Sequence, residues 1–325
     1  MSPMTFNPRI LILAGAATLA ATVTKAQTWP ERPLTMVVPS APGGSTDLSA
    51  RLIGEPLSKA LGQPLVIDNK AGAAGNLGTE AVARAKPDGY TLLMQYSGYH
   101  VGNPALFPQI KWHPKDFVPV ALVMRAPHVI AVSGAIPVNN LQEFIALGKK
   151  NGKGWFYASS GNGSIQHIAG ELFEQQAKVP MTHVPYKGAG PAVNDLLGGQ
   201  VDMFVTTPPS VIGHIASGKL KALAYTGKQR HPSLANVPTS AEAGLPGYEV
   251  DSWFAVFAPA GTPAPVVARL SAEIKTIVES EAYRKKVNDQ GAFAAYMDPK
   301  ALGSFVQSEL DLWAGVIKAK NIKAD

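Results

Sequence analysis

Pro39-Ser-Ala-Pro-Gly-Gly-Ser-Thr-Asp47 sets two adjacent glycines ahead of three residues with short, oxygen-bearing side chains. That order suits the binding of a small anion. Gly43 and Gly44 leave the backbone open to close approach, and Ser45, Thr46 and Asp47 are residue types that cap helix starts. A helix beginning here has N–H groups without intrahelical partners and about half a positive charge at its end. Together these seat a carboxylate. The stretch also reads as a well-capped turn between a strand and a helix and nothing more. A second copy of the design tips the balance toward the anion. Ser159-Ser160-Gly161-Asn162-Gly163-Ser164 follows the apolar strand Trp155-Phe156-Tyr157-Ala158 and precedes Ile165, Ile168, Ala169, Leu172 and Phe173 on one helical face. His167, inside that helix, is placed with the candidates.

Two further stretches carry polar or aromatic groups near the expected site. Gln95-Tyr96-Ser97-Gly98-Tyr99-His100 leaves a strand, and its Tyr96, Ser97, Tyr99 and His100 could line a pocket with rings and hydroxyls or serve as ordinary interface aromatics. Tyr186 stands in a looser repeat of the glycine theme, His183 to Pro191, before helical Ala192 to Leu197. Asp202 lies in the apolar run Gln200 to Val205, where a carboxylate is costly unless bonded. It either caps a neighbouring turn or faces the cleft.

Other chemistries find little support. The chain of 325 residues has no cysteine, which excludes disulfides, thiolate metal sites and a cysteine nucleophile. Gly-x-Ser-x-Gly, Ser-x-x-Lys, His-Glu-x-x-His and the Walker phosphate loop are missing, and Gly188-Ala189-Gly190 lacks the third glycine of a dinucleotide fingerprint. The seven histidines are scattered, so no metal site and no cofactor is expected. A formal charge of +6 without basic runs interleaved with aromatics draws small anions and excludes a nucleic-acid surface.

The elements that would position these residues alternate. Leu34 to Val38 is a strand before the first glycine turn, followed by a helix with Leu48, Leu52, Ile53, Leu57 and Leu61. Leu65 to Ile67 and Tyr90 to Met94 are further strands around the helix Thr79 to Ala85. This rhythm predicts α/β lobes with mainly parallel sheets flanked by helices, and ligands at the carboxyl ends of the strands. Phe117 to Met124 and His128 to Val132 read as strands leading into a second domain, and Val250 to Ala258 as a strand long enough to return. The expected division is 27–126 plus 251–325 for one domain and 127–250 for the other. Residues 1–26, with Arg9 ahead of the apolar run Ile10 to Ala21, read as a signal peptide cleaved near Ala26, which predicts an exported protein.

Taken together, Pro39 to Asp47, Leu61-Gly62-Gln63-Pro64, Asp68-Asn69-Lys70, Gly75-Asn76, Lys86-Pro87-Asp88-Gly89-Tyr90-Thr91-Leu92, Tyr186-Lys187-Gly188, Gly199-Gln200-Val201-Asp202, Pro238-Thr239 and Phe257 to Pro263 resemble the extracytoplasmic solute-binding receptors of tripartite tricarboxylate transport systems, the Bug or TctC type. The resemblance spans essentially the whole chain after residue 26. It implies the two-lobed periplasmic-binding-protein fold (type II, Venus flytrap), capture of a small organic carboxylate in the periplasm, and a membrane permease as partner; a monomer that is not an enzyme is expected, with an exported enzyme acting on an organic acid, or a ligand-sensing receptor for a signalling partner, as the alternatives. It also implies a site between Gly43, Gly44, Ser45 and Asp47 on one lobe and Ser159, Gly161, Asn162, Gly163 and Ser164 on the other. The chain departs from the pattern where Ser40 replaces the usual aromatic and where Tyr96 to His100 replaces small polar residues. Those changes favour an aromatic carboxylate, terephthalate-like or protocatechuate-like, over malate or citrate.

Overall fold

The computed structural model describes residue 1 and residues 29–320; the expected signal peptide, Met1 apart, and its cleavage point at Ala26 lie outside the described residues. The chain runs β1 (Leu34–Val38), α1 (Ser45–Leu61), β2 (Leu65–Asn69), α2 (Asn76–Ala83), β3 (Thr91–Tyr96), α3 (Asn103–Leu106) and β4 (Phe117–Pro127). It continues through β5 (Val129–Ser133), α4 (Leu141–Lys150), β6 (Trp155–Ser159), α5 (Ile165–Ala177), β7 (Met181–Pro185), α6 (Ala189–Leu197), β8 (Met203–Thr206), α7 (Ile212–Ala216) and β9 (Leu220–Tyr225). The closing elements are β10 (Asp251–Pro259), α8 (Ala264–Glu279), α9 (Glu281–Asp289), β11 (Phe293–Met297) and α10 (Pro299–Lys320).

Two sheets result, ordered β11-β4-β10-β3-β1-β2 and β7-β6-β8-β5-β9. Each is mixed. In the first, β1 pairs in parallel with β2 and β3, whereas β10 and β4 are joined antiparallel to their neighbours. In the second, β6 is parallel to β7 and β8, and β5 is antiparallel to β8 and β9. The mainly parallel character expected from the sequence therefore holds in one half of each sheet. The antiparallel pairs are those of β4, β10 and β11 in the first sheet and of β5 in the second, and β4 passes to β5 through His128 alone.

Strand β1 shows why the parallel half reads as a mostly apolar run instead of a strict alternation. Leu34, Met36 and Val38 pack in one core with Ile53 and Leu57 of α1, while Val37 on the opposite face belongs to a second core with Trp112, Phe117 and Trp253. With helices on both faces, apolar residues predominate on each, and the one polar residue, Thr35, is only half-buried. Each such side chain contributes about 1.5–3 kcal/mol on burial, which fixes the direction in which β1 delivers its glycine turn.

The chain crosses between sheets twice, between β4 and β5 and just before β10, and the crossings are laced together. The His128 N–H donates to Thr226 Oγ1 at 2.7 Å, Thr226 Oγ1 donates to the Val250 carbonyl at 2.5 Å, and His128 Nε2 lies 2.7 Å from Ser252 Oγ. Arg125 pairs with Asp251 at the same place. Among the described residues no helix is long and apolar enough to cross a membrane.

Candidate functional site

The lobes meet around a nearly filled cavity, with about 10 Å³ of room for the centre of a water-sized sphere, lined by Ser40, Gly44, Ser45 and Thr46 of the first glycine turn, Tyr96, Tyr99 and Phe254 of the same lobe, and Ser160, Gln166, Ala189 and Thr207 of the other. Three helices begin at it. Ser45 and Thr46 open α1, which has 17 residues, Gln166 lies in the first turn of α5, which has 13, and Ala189 opens α6, which has 9. Neither α1 nor α6 has a side-chain cap at its N-terminus, so their first N–H groups await partners. The two helix starts also meet head to head: a Cβ on Gly44 would stand 3.4 Å from both the Ala189 and Gly190 nitrogens. Two positive dipole ends this close repel unless an anion sits with them. None of the lining residues is lysine, arginine or histidine, so the positive potential comes from backbone dipoles.

Hydroxyl bonds tie the lobes across this cavity. Thr207 Oγ1 donates to Ser45 Oγ at 2.6 Å, Tyr96 OH donates to Gln166 Oε1 at 2.8 Å, and Tyr99 OH donates to the Ser160 carbonyl at 2.9 Å. Ser160 Oγ also donates to Gln166 Oε1, at 2.8 Å. Burial raises the Tyr96 phenol far above its ordinary range and pushes Tyr99 up to about 12, the latter partly offset by Ser160. Both are therefore protonated donors. Their rings meet edge to face at 5.0 Å, and Phe254 lies 5.8 Å from Tyr96. The lining is thus hydroxyls and helix starts on some sides and an aromatic wall on another.

The first-lobe loop behaves largely as expected from the sequence. Gly43 adopts φ +81°, a conformation that favours glycine, and spends its N–H on Asp47 without lining the cavity, whereas Gly44 and Ser45 do line it. Asp47 does not. Its carboxylate accepts from the Gly43 N–H at 3.0 Å, from Arg51 Nε and from Asn69 Nδ2 at 3.1 Å, so it braces the loop from beneath.

The tyrosine and histidine stretch splits. Tyr96 and Tyr99 face the cavity, but Ser97 Oγ accepts the Trp253 N–H at 3.2 Å and His100 turns into the opposite core. There its ring stacks on Phe257 at 4.4 Å beside Trp112, Phe117 and Trp253. Burial depresses its pKa to about 3, leaving it neutral. Strand residues alternate faces, and consecutive residues of the helical turn Gly98–Gly102 point in different directions. Four neighbours could not all reach one cavity.

The second-lobe loop is placed at the cavity edge, and its partners differ from those expected. Ser160 lines the cavity, whereas Ser159, Gly161, Asn162, Gly163 and Ser164 do not. Ser159 Oγ lies 2.7 Å from His183 Nε2 and accepts the Gly161 N–H at 3.1 Å. Gly163 packs on Leu106 of α3 instead of opposing Gly43. Ser164 caps α5 by accepting the His167 N–H at 3.3 Å. His167 accepts the Gly163 N–H on Nδ1 at 3.1 Å and stacks on His183 at 4.0 Å, away from the cavity. Tyr186 donates to Asp195 at 2.6 Å, and Asp202 accepts the N–H of Phe156, the second residue of β6, at 2.8 Å, so it holds a strand end and neither caps a turn nor lines the cavity.

Sequence reasoning did not place Ser40, Thr46, Ser160, Gln166, Ala189, Thr207 or Phe254 among the site residues. Ala189 and Thr207 each follow a strand, β7 and β8, at its carboxyl end, where open α/β sheets bind ligands, and that signal could have found them. Nothing local marks Phe254 or Gln166.

Fold and site define a two-lobed α/β binding protein of the periplasmic-binding-protein class, with its candidate site between the lobes. The model of the tripartite tricarboxylate transporter family receptor (TctC) matches residues 49–322, and the chain belongs to that family. It is 38% identical to Protein BugT of Bordetella pertussis over 314 residues, 96% of each chain. Among solved structures, a Rhodopseudomonas palustris protein with adipate is 36% identical with a TM-score of 0.87, covering 91% of this chain and 99% of that one. MatC of the same organism with bound malate is 37% identical with a TM-score of 0.81, covering 89% and 99%.

Proposed function

We propose that this protein captures a small organic carboxylate between its lobes in the periplasm, after export directed by residues 1–26, and delivers it to a membrane permease of a tripartite tricarboxylate transport system. The lobes are taken as 27–126 plus 251–325 and 127–250. The observation that carries the reading is the meeting of three helix starts and several hydroxyls in one cavity free of cationic side chains. Hydrogen bonds to a charged group are worth roughly 1.5–3 kcal/mol each, so a few donors, less the cost of desolvation and closure, reach micromolar binding of about 8 kcal/mol. The adipate and malate carried by two related structures are carboxylates too. Here the wall of Tyr96, Tyr99 and Phe254 favours an aromatic acid.

Because donors come from both lobes, a bound carboxylate stabilises the closed form over the open one. The proposed role is binding without turnover. Calorimetry with benzoate, benzamide, adipate and malate tests it. Acids should bind at micromolar levels and the neutral amide should not; equal binding of amide and acid, or no binding by any acid, would overturn the reading. Uptake of radiolabelled acid into vesicles carrying the permease, dependent on added protein, tests delivery.

A further inference from the structure

Most hydroxyls of the cavity are already engaged, but that of Ser40, though buried, is not. Ser40 is 3% exposed, lines the cavity, and its Oγ has no hydrogen-bond partner among the described residues. Its main chain does the structural work of the position, since the Ser40 carbonyl accepts from Asn69 Nδ2 at 3.1 Å. The side chain adds nothing to that. A buried hydroxyl left unbonded costs free energy.

We infer that Ser40 is a specificity-determining residue that reads a hydroxyl on the ring of an aromatic carboxylate, so that hydroxybenzoate-class acids are preferred to benzoate and to aromatic diacids. The inference rests on the proposed capture of a carboxylate in the same cavity. Three features lead to it. The helix starts of α1, α5 and α6 account for one carboxylate. Tyr96, Tyr99 and Phe254 account for a ring. Ser40 then offers a single hydroxyl, able to donate or accept. A second carboxylate in its place would bury a full charge with one neutral donor and no cationic side chain in the lining, a costly arrangement, whereas a neutral hydroxyl satisfies Ser40 and is satisfied by it.

Calorimetry of wild type and Ser40→Ala with benzoate, the three monohydroxybenzoates, terephthalate and adipate tests this. In the wild type at least one hydroxybenzoate should bind roughly tenfold tighter than benzoate, the worth of about one hydrogen bond, and terephthalate no tighter than benzoate. In Ser40→Ala the preferred hydroxybenzoate should lose about tenfold and benzoate no more than about twofold, so that the preference falls to within about twofold. Equal binding of benzoate and all hydroxybenzoates by the wild type overturns the inference, as does an equal loss for both in Ser40→Ala, which would mean that Ser40 only shapes the loop. Binding of adipate without any benzoate overturns it and leaves carboxylate capture standing. Binding of no acid at all removes both.

Discussion

Gly190 in the second lobe stands so close to Pro42 in the first that a Cβ on Gly190 would lie 2.1 Å from the Pro42 carbonyl oxygen. No real Cβ tolerates that contact with backbone. Gly190 is in the first turn of α6 and is not among the glycines with positive φ, so alanine suits its own lobe and is the better helix former by about 1 kcal/mol. Gly190→Ala should therefore fold with an unchanged or higher Tm yet fail to close. We expect carboxylate affinity to fall by about two orders of magnitude, because binding then proceeds from a form that one lobe's donors alone must serve. Small-angle scattering should show that ligand no longer contracts the variant; wild-type affinity together with normal contraction would contradict the closed contact.

Ser45→Ala removes both a lining hydroxyl and the acceptor of the Thr207 bond. Its helix start is otherwise intact, since Ser45 follows the N-cap Gly44 and provides no cap itself. Affinity for every carboxylate should drop about tenfold, near 1.4 kcal/mol, with Tm within a few degrees of wild type. Calorimetry beside a thermal melt separates the two quantities, and a large fall in Tm with unchanged affinity would refute a binding role.

The aromatic wall can be tested apart from its hydroxyls. Tyr96→Phe keeps the ring and deletes the bond to Gln166, so it should weaken aromatic and aliphatic acids alike by a few-fold. Phe254→Leu trims the ring of a residue 1% exposed, and should cost benzoate-type acids more than adipate while lowering stability by about 1–3 kcal/mol. Should Phe254→Leu affect both ligand types equally in calorimetry, the wall has no part in selecting rings.

Acid lability follows from the buried histidines. Burial holds His100 and His128 at about 3, below the ordinary value of 6.5. A folded-state pKa depressed in this way means that the unfolded chain binds the proton more readily. Stability is full above the unfolded value and is lost as pH falls from about 6.5 toward 3, by up to about 1.4 kcal/mol per pH unit for each histidine. His100→Leu should fold at pH 7 with a modest change in stability, about 1.5 kcal/mol or less if the cluster repacks, and show a shallower decline on acidification. Urea midpoints measured at pH 7, 6, 5 and 4 check it, and parallel slopes for the two proteins would rule out His100 as a source.

Much of the site was legible as local chemistry. The strand, glycine and helix order at Pro39 to Asp47 needed only composition and apolar spacing to read, and the same order at Trp155 to Phe173 was equally plain. The sense in which each residue would face was not. Asp47 has the chemistry of a ligand contact and is the brace of its own loop. Tyr99 and His100 are adjacent aromatic candidates, and helical phase sends one to the cavity and the other into the core beside Phe257.

The amino-acid order alone determined that glycine turns end strands and open helices, because the conformational freedom of glycine, the capping groups and the apolar period all act within a few residues. Which turns confront each other was decided only by the tertiary structure. The packing of β1 against α1 and the two passages of chain between the sheets set Gly44 before Ala189 and leave Gly163 against Leu106. Such a pairing depends on the relative placement of two sheets whose residues share one hydrophobic core, and no short-range preference encodes it.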